Sequence, residues 1–135
     1  MKPLSGIEIN KLPLHDAGII FLLVEESGNG TVSIKIRLEI NKEESLEPFA
    51  NLGIRGKVLD FILDSCWLVN YKGVGYTYGQ DGIQDWRVLN ESPFLNELKK
   101  IGNGDKGKFL HHHIELHSGS CLDVLVASIT IESID

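Results

Sequence analysis

The stretch KFLHHHIELHSGSCLDVLVASITI, residues 108–131, decides the fold that the sequence predicts. Apolar and polar residues alternate from residue 109 to 117, which is the period of a strand with one buried face. One face carries Leu110, His112, Ile114 and Leu116, and the other carries His111, His113, Glu115 and His117. Residues 122–131 are rich in β-branched side chains, and Ser118-Gly119-Ser120 supplies a glycine for the turn. The stretch therefore predicts a long β-hairpin that closes the domain.

The length of the turn in this hairpin sets the register. A three-residue loop that ends in a bulge would pair His117 with Cys121 and would place Leu122 and Val124 on the same face as Ile114. A two-residue loop would shift the second strand by one residue and exchange its faces. We prefer the three-residue loop because it gathers the apolar residues of both strands on one face.

Further strands are predicted upstream of this hairpin. Residues 17–25 are apolar on both faces, as in an interior strand, and the Asn29-Gly30 pair that follows is a hairpin signal. Residues 31–40 alternate regularly, with aliphatic side chains facing inward and polar side chains facing water. Residues 7–10 are consistent with a short edge strand or an extended arm. Residues 57–64 alternate again, and weaker strand patterns follow at 66–71, 74–78 and 86–89.

One helix is predicted between these strands and the final hairpin. Ser92 can cap its free N–H groups, Pro93 suits the first helical position, and Gly102 can end it. We therefore predict that residues 1–135 form a single α+β domain, mainly antiparallel β, with roughly six strands in a curled sheet or partly open barrel and one helix.

Composition narrows the classes of function. A net charge of −6 argues against nucleic acid as a partner, because binding to phosphates needs clustered Lys and Arg. Residues 1–6 contain no apolar secretion signal, and no run approaches the roughly 20 apolar residues that span a bilayer. The two cysteines, Cys66 and Cys121, do not make a disulfide framework. A reduced cytoplasmic protein without a membrane segment is expected.

Four of the five histidines lie between residues 111 and 117. His111 and His113 are two apart on one strand face, with about 6.5–7 Å between Cα atoms, so both imidazoles could bind one metal ion. His117, Cys121 or the distant pair His15-Asp16 would complete such a site, and histidine with thiolate would suit zinc. The alternative is that these histidines are solvated, with His112 packed in the core against a polar neighbour.

Other reactive patterns fail on physical grounds. Residues 102–108 match the Gly-x-x-x-x-Gly-Lys pattern of a phosphate-binding loop, but they follow the predicted helix and precede a strand, the reverse of what such a loop needs. Neither Cys66 nor Cys121 has a flanking Lys or Arg to activate its thiol, so both are predicted to be inert. The sequence therefore favours a protein that is not an enzyme.

The middle of the chain holds five of the ten aromatic residues: Trp67, Tyr71, Tyr76, Tyr78 and Trp86. Tyr and Trp are favoured at the centres of protein interfaces, so a non-enzymatic binding module is the first hypothesis for function. It predicts that the rings of Trp67, Tyr76, Tyr78 and Trp86 are exposed in one patch, and the acidic charge favours a basic partner. A long exposed strand edge would also allow a homodimer. A third hypothesis is a carrier with an apolar cavity inside the curled sheet.

The order His15-Asp16, a hydrophobic strand, an Asn-Gly hairpin and a C-terminal His-rich strand leading into Leu-Asp-Val-Leu-Val-Ala resembles small β-rich bacterial proteins of unknown function. These include immunity-protein-like families of polymorphic toxin systems. The resemblance covers the two ends of the chain. It implies non-catalytic binding of a protein partner, such as a basic toxin domain, and assigns no functional residue.

Overall fold

The computed structural model describes residues 2–26, 32–73, 81–100 and 109–134. The strands within them are β1 (Lys2–Leu4), β2 (Gly18–Glu26), β3 (Val32–Glu39), β4 (Val58–Lys72), β5 (Ile83–Leu89), β6 (Leu110–Leu116), β7 (Cys121–Val126) and β8 (Ser128–Ser133). The helices are α1 (Leu46–Ala50), α2 (Pro93–Lys100) and two 3₁₀ helices, Gly6–Lys11 and Glu43–Ser45. No helix in this part of the chain is both apolar enough and long enough to cross a membrane.

Strand β4 is the centre of the sheet. Its first half pairs with β3 on one side and β8 on the other, and its second half pairs with β7. The strand changes partner near Ser65, which has a positive φ of 53°, and the adjoining chain changes from β7 to β8 at Ala127. The segments 57–64 and 66–71, which the sequence suggests are separate strands, are therefore one bent strand. All pairings are antiparallel, and β6 and β5 follow β7 outward.

The path β2-β3-β4-β7-β6-β5 curls into a half-barrel, with β8 and β1 continuing from the side of β4. The start of β2 meets the start of β5, where Gly18 bridges Gly82 and the Ile83 N–H donates to the Ala17 carbonyl at 2.9 Å. This contact draws the two ends of the path together at one rim. The predicted α+β class with a curled antiparallel sheet is confirmed, although α1 adds a second short helix and residues 7–10 belong to a 3₁₀ helix.

The interior of the curled sheet is filled by aliphatic and aromatic side chains. The alternation predicted for residues 31–40 is confirmed over the described residues 32–40, since Ile34 and Ile36 of β3 are completely buried. Phe61 and Leu63 of β4, opposite them in register, are also completely buried. Burying each such side chain stabilises the fold by roughly 2 kcal/mol. This filled interior counts against an apolar ligand cavity.

The C-terminal hairpin has the predicted loop length and faces but a different pairing. The Leu116 N–H donates to the Ser120 carbonyl, and Gly119 takes a positive φ of 93°. The glycine must occupy the last loop position, so the three-residue loop is 117–119, where we expected 118–120. Cys121 therefore pairs with Glu115, and the predicted pairing with His117 is wrong by two residues. Because the shift is even, the faces are kept.

Helix α2 begins as predicted, with the Leu95 N–H donating to the Ser92 side chain at 3.2 Å. Its apolar residues Leu95 and Leu98 pack on Leu125 of β7 and on Phe109. The outer face of β6 and β7 is therefore partly covered by the helix. The Asn29-Gly30 turn, the strand at 74–78 and the motif at 102–108 lie outside the described residues.

Candidate metal centre

Adjacent strands β6 and β7 bring two imidazoles and a carboxylate together. His111 and His113 share the outer face of β6 because strand side chains alternate. Asp123 of β7 is the register partner of His113 and so shares that face. Helix α2 packs across one end, where the Phe94 ring meets the His111 ring edge-on with centroids 5.2 Å apart. The sheet register and the helix thus place the three side chains without any loop.

The distances within this group are short. The Asp123 Oδ1 atom lies 2.7 Å from His111 Nε2 and 2.7 Å from His113 Nδ1. In the part of the chain that the structure describes, these three residues form the one group of three or more candidate ligands whose donor atoms all lie within 4.8 Å of one another. His111 is 5% exposed and Asp123 6%, and His113 is partly buried. We call the three residues the His–Asp centre.

A second set of contacts orients the His–Asp centre. The other ring nitrogen of His113, Nε2, is 2.8 Å from the Glu115 carboxylate. Asn70 donates its side-chain N–H to the second Asp123 oxygen, Oδ2, at 3.2 Å. These contacts direct His113 Nδ1 and Asp123 Oδ1 toward each other. A carboxylate behind a ligating imidazole is the usual outer contact of metal-bound histidine.

The charges in the centre follow from these contacts. Burial would lower the pKa of His113, but Glu115 and Asp123 outweigh it and raise that pKa above its ordinary value. Burial would raise the pKa of Asp123, but hydrogen bonds from His113, His111 and Asn70 lower it. Both ring nitrogens of His113 face carboxylate oxygens, and this arrangement favours the protonated form of the imidazole. A metal ion at Nδ1 would compete with a proton for that nitrogen.

His112 lies on the opposite face of β6, within the core. It is 1% exposed, and its Nδ1 accepts a hydrogen bond from the Trp86 indole N–H at 3.0 Å. Burial lowers the pKa of His112 to about 3, so the ring is neutral. The prediction of a core histidine with a polar neighbour is confirmed. The matching expectation that the outer histidines are solvated is wrong for His111.

The structure brings together part of the predicted ligand set. His111 and His113 converge as expected, but Cys121, which pairs with Glu115, is outside the group. The third candidate ligand is Asp123, which the sequence reading missed. In the expected register Asp123 would have faced Glu115, another carboxylate. The two-residue shift sets it opposite His113, so the turn geometry was the signal that could have revealed it.

His15, Asp16 and His117 meet elsewhere, at the rim where β2 approaches β5. His117 Nε2 lies 2.9 Å from Asp16 Oδ1, and Lys42 Nζ lies 3.3 Å from Asp16 Oδ2. The hydrogen bond from Lys42 is the largest cause of a lowered Asp16 pKa. His15 Nδ1 is 2.7 Å from the Gln84 carbonyl. The predicted role of His15 and His117 as ligands beside His111 is therefore wrong, since they join a separate, exposed ion-pair cluster.

The aromatic residues of the middle region are divided between environments. Trp86 is 5% exposed and packs on Phe61 with ring centroids 5.3 Å apart. The prediction that the Trp86 ring is exposed is therefore wrong. Trp67 is partly buried beside the α2 contacts. Tyr71 is 60% exposed. Tyr76 and Tyr78 lie outside the described residues.

The surroundings of Cys66 disfavour its thiolate form. Cys66 is buried, and burial, with a smaller effect from Asp64, raises the pKa of its thiol to about 12. This agrees with the inert thiol that the sequence predicts.

Comparison with known proteins gives no relative of this chain. No protein-family model matches it, and neither a curated protein nor a solved structure is detectably similar to it. Its function is therefore inferred from its own residues.

Proposed function

We propose that this protein binds a divalent transition-metal ion, with zinc as the first candidate, through His111 Nε2, His113 Nδ1 and Asp123 Oδ1. The observation that carries this proposal is the convergence of three donor atoms from two neighbouring strands within 4.8 Å of one another. Two imidazoles and one carboxylate are a common donor set for zinc and for ferrous iron. The proposal concerns binding and includes no catalytic step.

Rigid support is the second reason for a metal. Strand pairing fixes the backbone of all three residues, and Phe94 on α2 contacts the His111 ring. Glu115 holds the far nitrogen of His113, as carboxylates hold many metal-bound histidines. A binding set whose rotamers are already fixed loses little entropy when the ion arrives.

The simpler alternative is a buried carboxylate that two imidazoles neutralise. It explains the short contacts of both imidazoles to Asp123. Only the affinity for metal separates the two explanations.

Elemental analysis of natively purified protein and calorimetric titration with zinc test the proposal. We expect one bound ion per chain, and a rise in melting temperature of about 10 °C at a hundredfold excess over the dissociation constant. Asp123→Asn keeps the side-chain shape and should weaken zinc binding by more than about a hundredfold, since even changes to outer contacts cost ten- to a hundredfold.

The matched control is His117→Asn, which removes a histidine from the same segment but outside the centre. It should leave zinc affinity within about twofold. Zinc binding that is absent in the wild type, or equally strong in both variants, would contradict the proposal. Titration with ferrous iron under argon decides between the two metals.

We propose as a second candidate that the protein binds a protein partner, as the resemblance to immunity-protein-like families implies. The observation that favours it is the exposed Tyr71 ring at the end of β4. Tyr71→Ala should weaken capture of the partner from the native host, identified by mass spectrometry, while Trp67→Ala should act mainly through stability. Equal capture by wild type and Tyr71→Ala would count against this surface.

A further inference from the structure

The outer face of strands β5, β6, β7 and β4 changes from apolar to polar between two neighbouring rows of side chains. The cross-strand register places in the first row Leu89, His111, Leu125 and Trp67. It places in the second row Arg87, His113, Asp123 and Asn70. The His–Asp centre takes its residues from both rows, so it lies on the boundary between an apolar and a polar part of this face.

Helix α2 packs over the first row and makes an apolar wall beside the His–Asp centre. The buried part of this wall consists of Leu95, Leu98, Phe109 and Leu125. The rings of Trp67 and Phe94 pack against it and stay partly exposed. The Phe94 ring also meets the His111 ring edge-on, with centroids 5.2 Å apart. An apolar group bound next to His111 would therefore contact aromatic surface.

The three ligands of the His–Asp centre lie on one side of the position that a metal ion would take. His111, His113 and Asp123 all project from the same face of the sheet. Protein-bound zinc usually has four ligands, so at least one position remains, on the side away from the sheet. The His113 side chain is 20% exposed, so solvent reaches the centre beside this ring.

The chain has no other histidine or cysteine placed to fill that position. The remaining ones lie at the rim, in the core or outside the group of close donor atoms: His15, His117, His112, Cys66 and Cys121. The residues outside the described ranges include no histidine and no cysteine, and their carboxylates belong to Asp105 and Asp135. An oxygen ligand is therefore expected in the remaining position.

We propose that the metal ion of the His–Asp centre binds a small carboxylate with an apolar substituent, and that this substituent lies against Phe94 and Trp67. The proposal rests on the metal binding proposed above. With two neutral imidazoles and one carboxylate as ligands, a divalent ion keeps a net positive charge that a carboxylate oxygen would neutralise. The neighbouring wall would bury the substituent, and a few polar groups beside apolar surface are typical of small-molecule sites.

The cobalt(II)-substituted protein tests this proposal, because the visible absorption of cobalt responds to a change of its ligands. Benzoate and acetate are the two probes. Benzoate should change the cobalt bands and saturate at one molecule per chain. Acetate should do the same with an affinity lower by about tenfold, because it lacks the ring that the wall would bury. Zinc should displace the cobalt, which verifies that both ions use the same centre.

A variant of the wall separates contact with the substituent from binding to the ion. Phe94→Ala should reduce the preference for benzoate over acetate to about twofold, because it removes aromatic surface from the wall. Tyr71→Ala is the matched control and should keep the wild-type preference. Tyr71 is an exposed ring on β4, but it is the register partner of the core residue Leu122 and so belongs to the other face. Circular dichroism verifies that both variants fold.

A last variant tests whether the chain itself supplies the remaining ligand. The double variant Asp105→Asn, Asp135→Asn should keep the cobalt bands and should bind benzoate within about twofold of the wild type. Altered bands in this variant would overturn the proposal, because a carboxylate of the chain would then occupy the position. A protein without cobalt bands would overturn the proposed metal binding and this proposal with it. Cobalt bands that neither probe changes, or equal affinities for benzoate and acetate, would overturn this proposal alone.

Discussion

On the inner face of β6, His112 accepts a hydrogen bond from Trp86, whereas on the outer face both ring nitrogens of His113 lie against carboxylates. The two residues are adjacent in sequence, and the same strand carries both. Their surroundings differ because the inner face meets an apolar core and the outer face meets the acidic residues Asp123 and Glu115.

The difference teaches that residue type alone does not determine the chemistry of a histidine-rich strand. Burial lowers the pKa of His112, while neighbouring carboxylates raise the pKa of His113. Only the outer face can offer nitrogen and oxygen donors to one ion, because His112 already uses its Nδ1 atom within the core. The predictions below alter one face at a time.

The largest expected effect comes from removing the carboxylate of the outer face. In metal-free protein, Asp123→Ala should lower the free energy of unfolding by about 3 kcal/mol, because it leaves the imidazoles of His111 and His113 without their shared partner. Urea unfolding at pH 7 measures the change. Asp85→Ala is the control, since Asp85 pairs with Arg87 at the surface and its loss should cost only about 0.5 kcal/mol. Equal losses in the two variants would contradict the role given to Asp123.

His112, on the inner face of β6, should account for most of the stability that the protein loses in acid. The pKa of His112 falls from 6.5 to about 3 on folding, so below pH 6.5 the unfolded chain binds this proton more readily than the folded chain. Stability should therefore be fully present above pH 6.5 and fall by about 2 kcal/mol by pH 5 from this residue alone. His113, with its raised pKa, acts in the opposite sense, since its contribution is present at low pH and lost as pH rises through that pKa.

His112→Asn tests this assignment because its amide oxygen can still accept from Trp86. Urea unfolding at pH 7 and at pH 5, in the presence of a chelator, should show a smaller difference in the variant than in the wild type. His117→Asn, on the exposed rim, is the control and should keep the wild-type difference. A variant that loses as much stability in acid as the wild type would refute the assignment.

A smaller effect is expected from the donor that faces His112. Trp86→Phe keeps an aromatic ring against Phe61 but removes the indole N–H, which should cost about 1.5 kcal/mol. Zinc affinity should stay within about twofold, because the change lies on the inner face. Calorimetry on the folded variant measures this, and a large loss of zinc affinity would mean that the two faces are coupled through the strand.

The sequence alone predicted which face of β6 each side chain occupies, but it did not predict which residues of β7 pair with them. Alternation placed His112 inside and His111 and His113 outside because side-chain direction in a strand has a fixed period of two. The pairing partner depends on which loop residue takes a positive φ, a choice between Gly119 and the residue after it. Relative to the predicted register, the observed turn shifts Asp123 by two positions along β6. Asp123 therefore lies opposite His113, and the two outer histidines belong to a three-residue centre.

Other features depend on contacts between distant segments. No local pattern reveals that β4 continues through Ser65 with a change of partner, because the partners β3, β7 and β8 come from both ends of the chain. The burial of Trp86 is likewise tertiary, since it requires Phe61 and His112 from different strands. The two-residue alternation of side chains predicts local strand conformation well. The pairing of strands about sixty residues apart is seen only in the folded sheet.

The smallest expected effect on stability, and the sharpest test of the outer face, is Glu115→Gln. Glu115 is 44% exposed at its side chain, so its loss should cost only about 0.5 kcal/mol in metal-free protein. At high pH, zinc affinity should fall by about tenfold because His113 loses its outer carboxylate. The same change removes one cause of the raised His113 pKa, so protons compete less with zinc in acid. The gap in zinc affinity between variant and wild type should therefore narrow as pH falls, and calorimetric titrations at pH 8 and pH 6 measure it. A gap that widens in acid would mean that Glu115 does not hold the proton of His113.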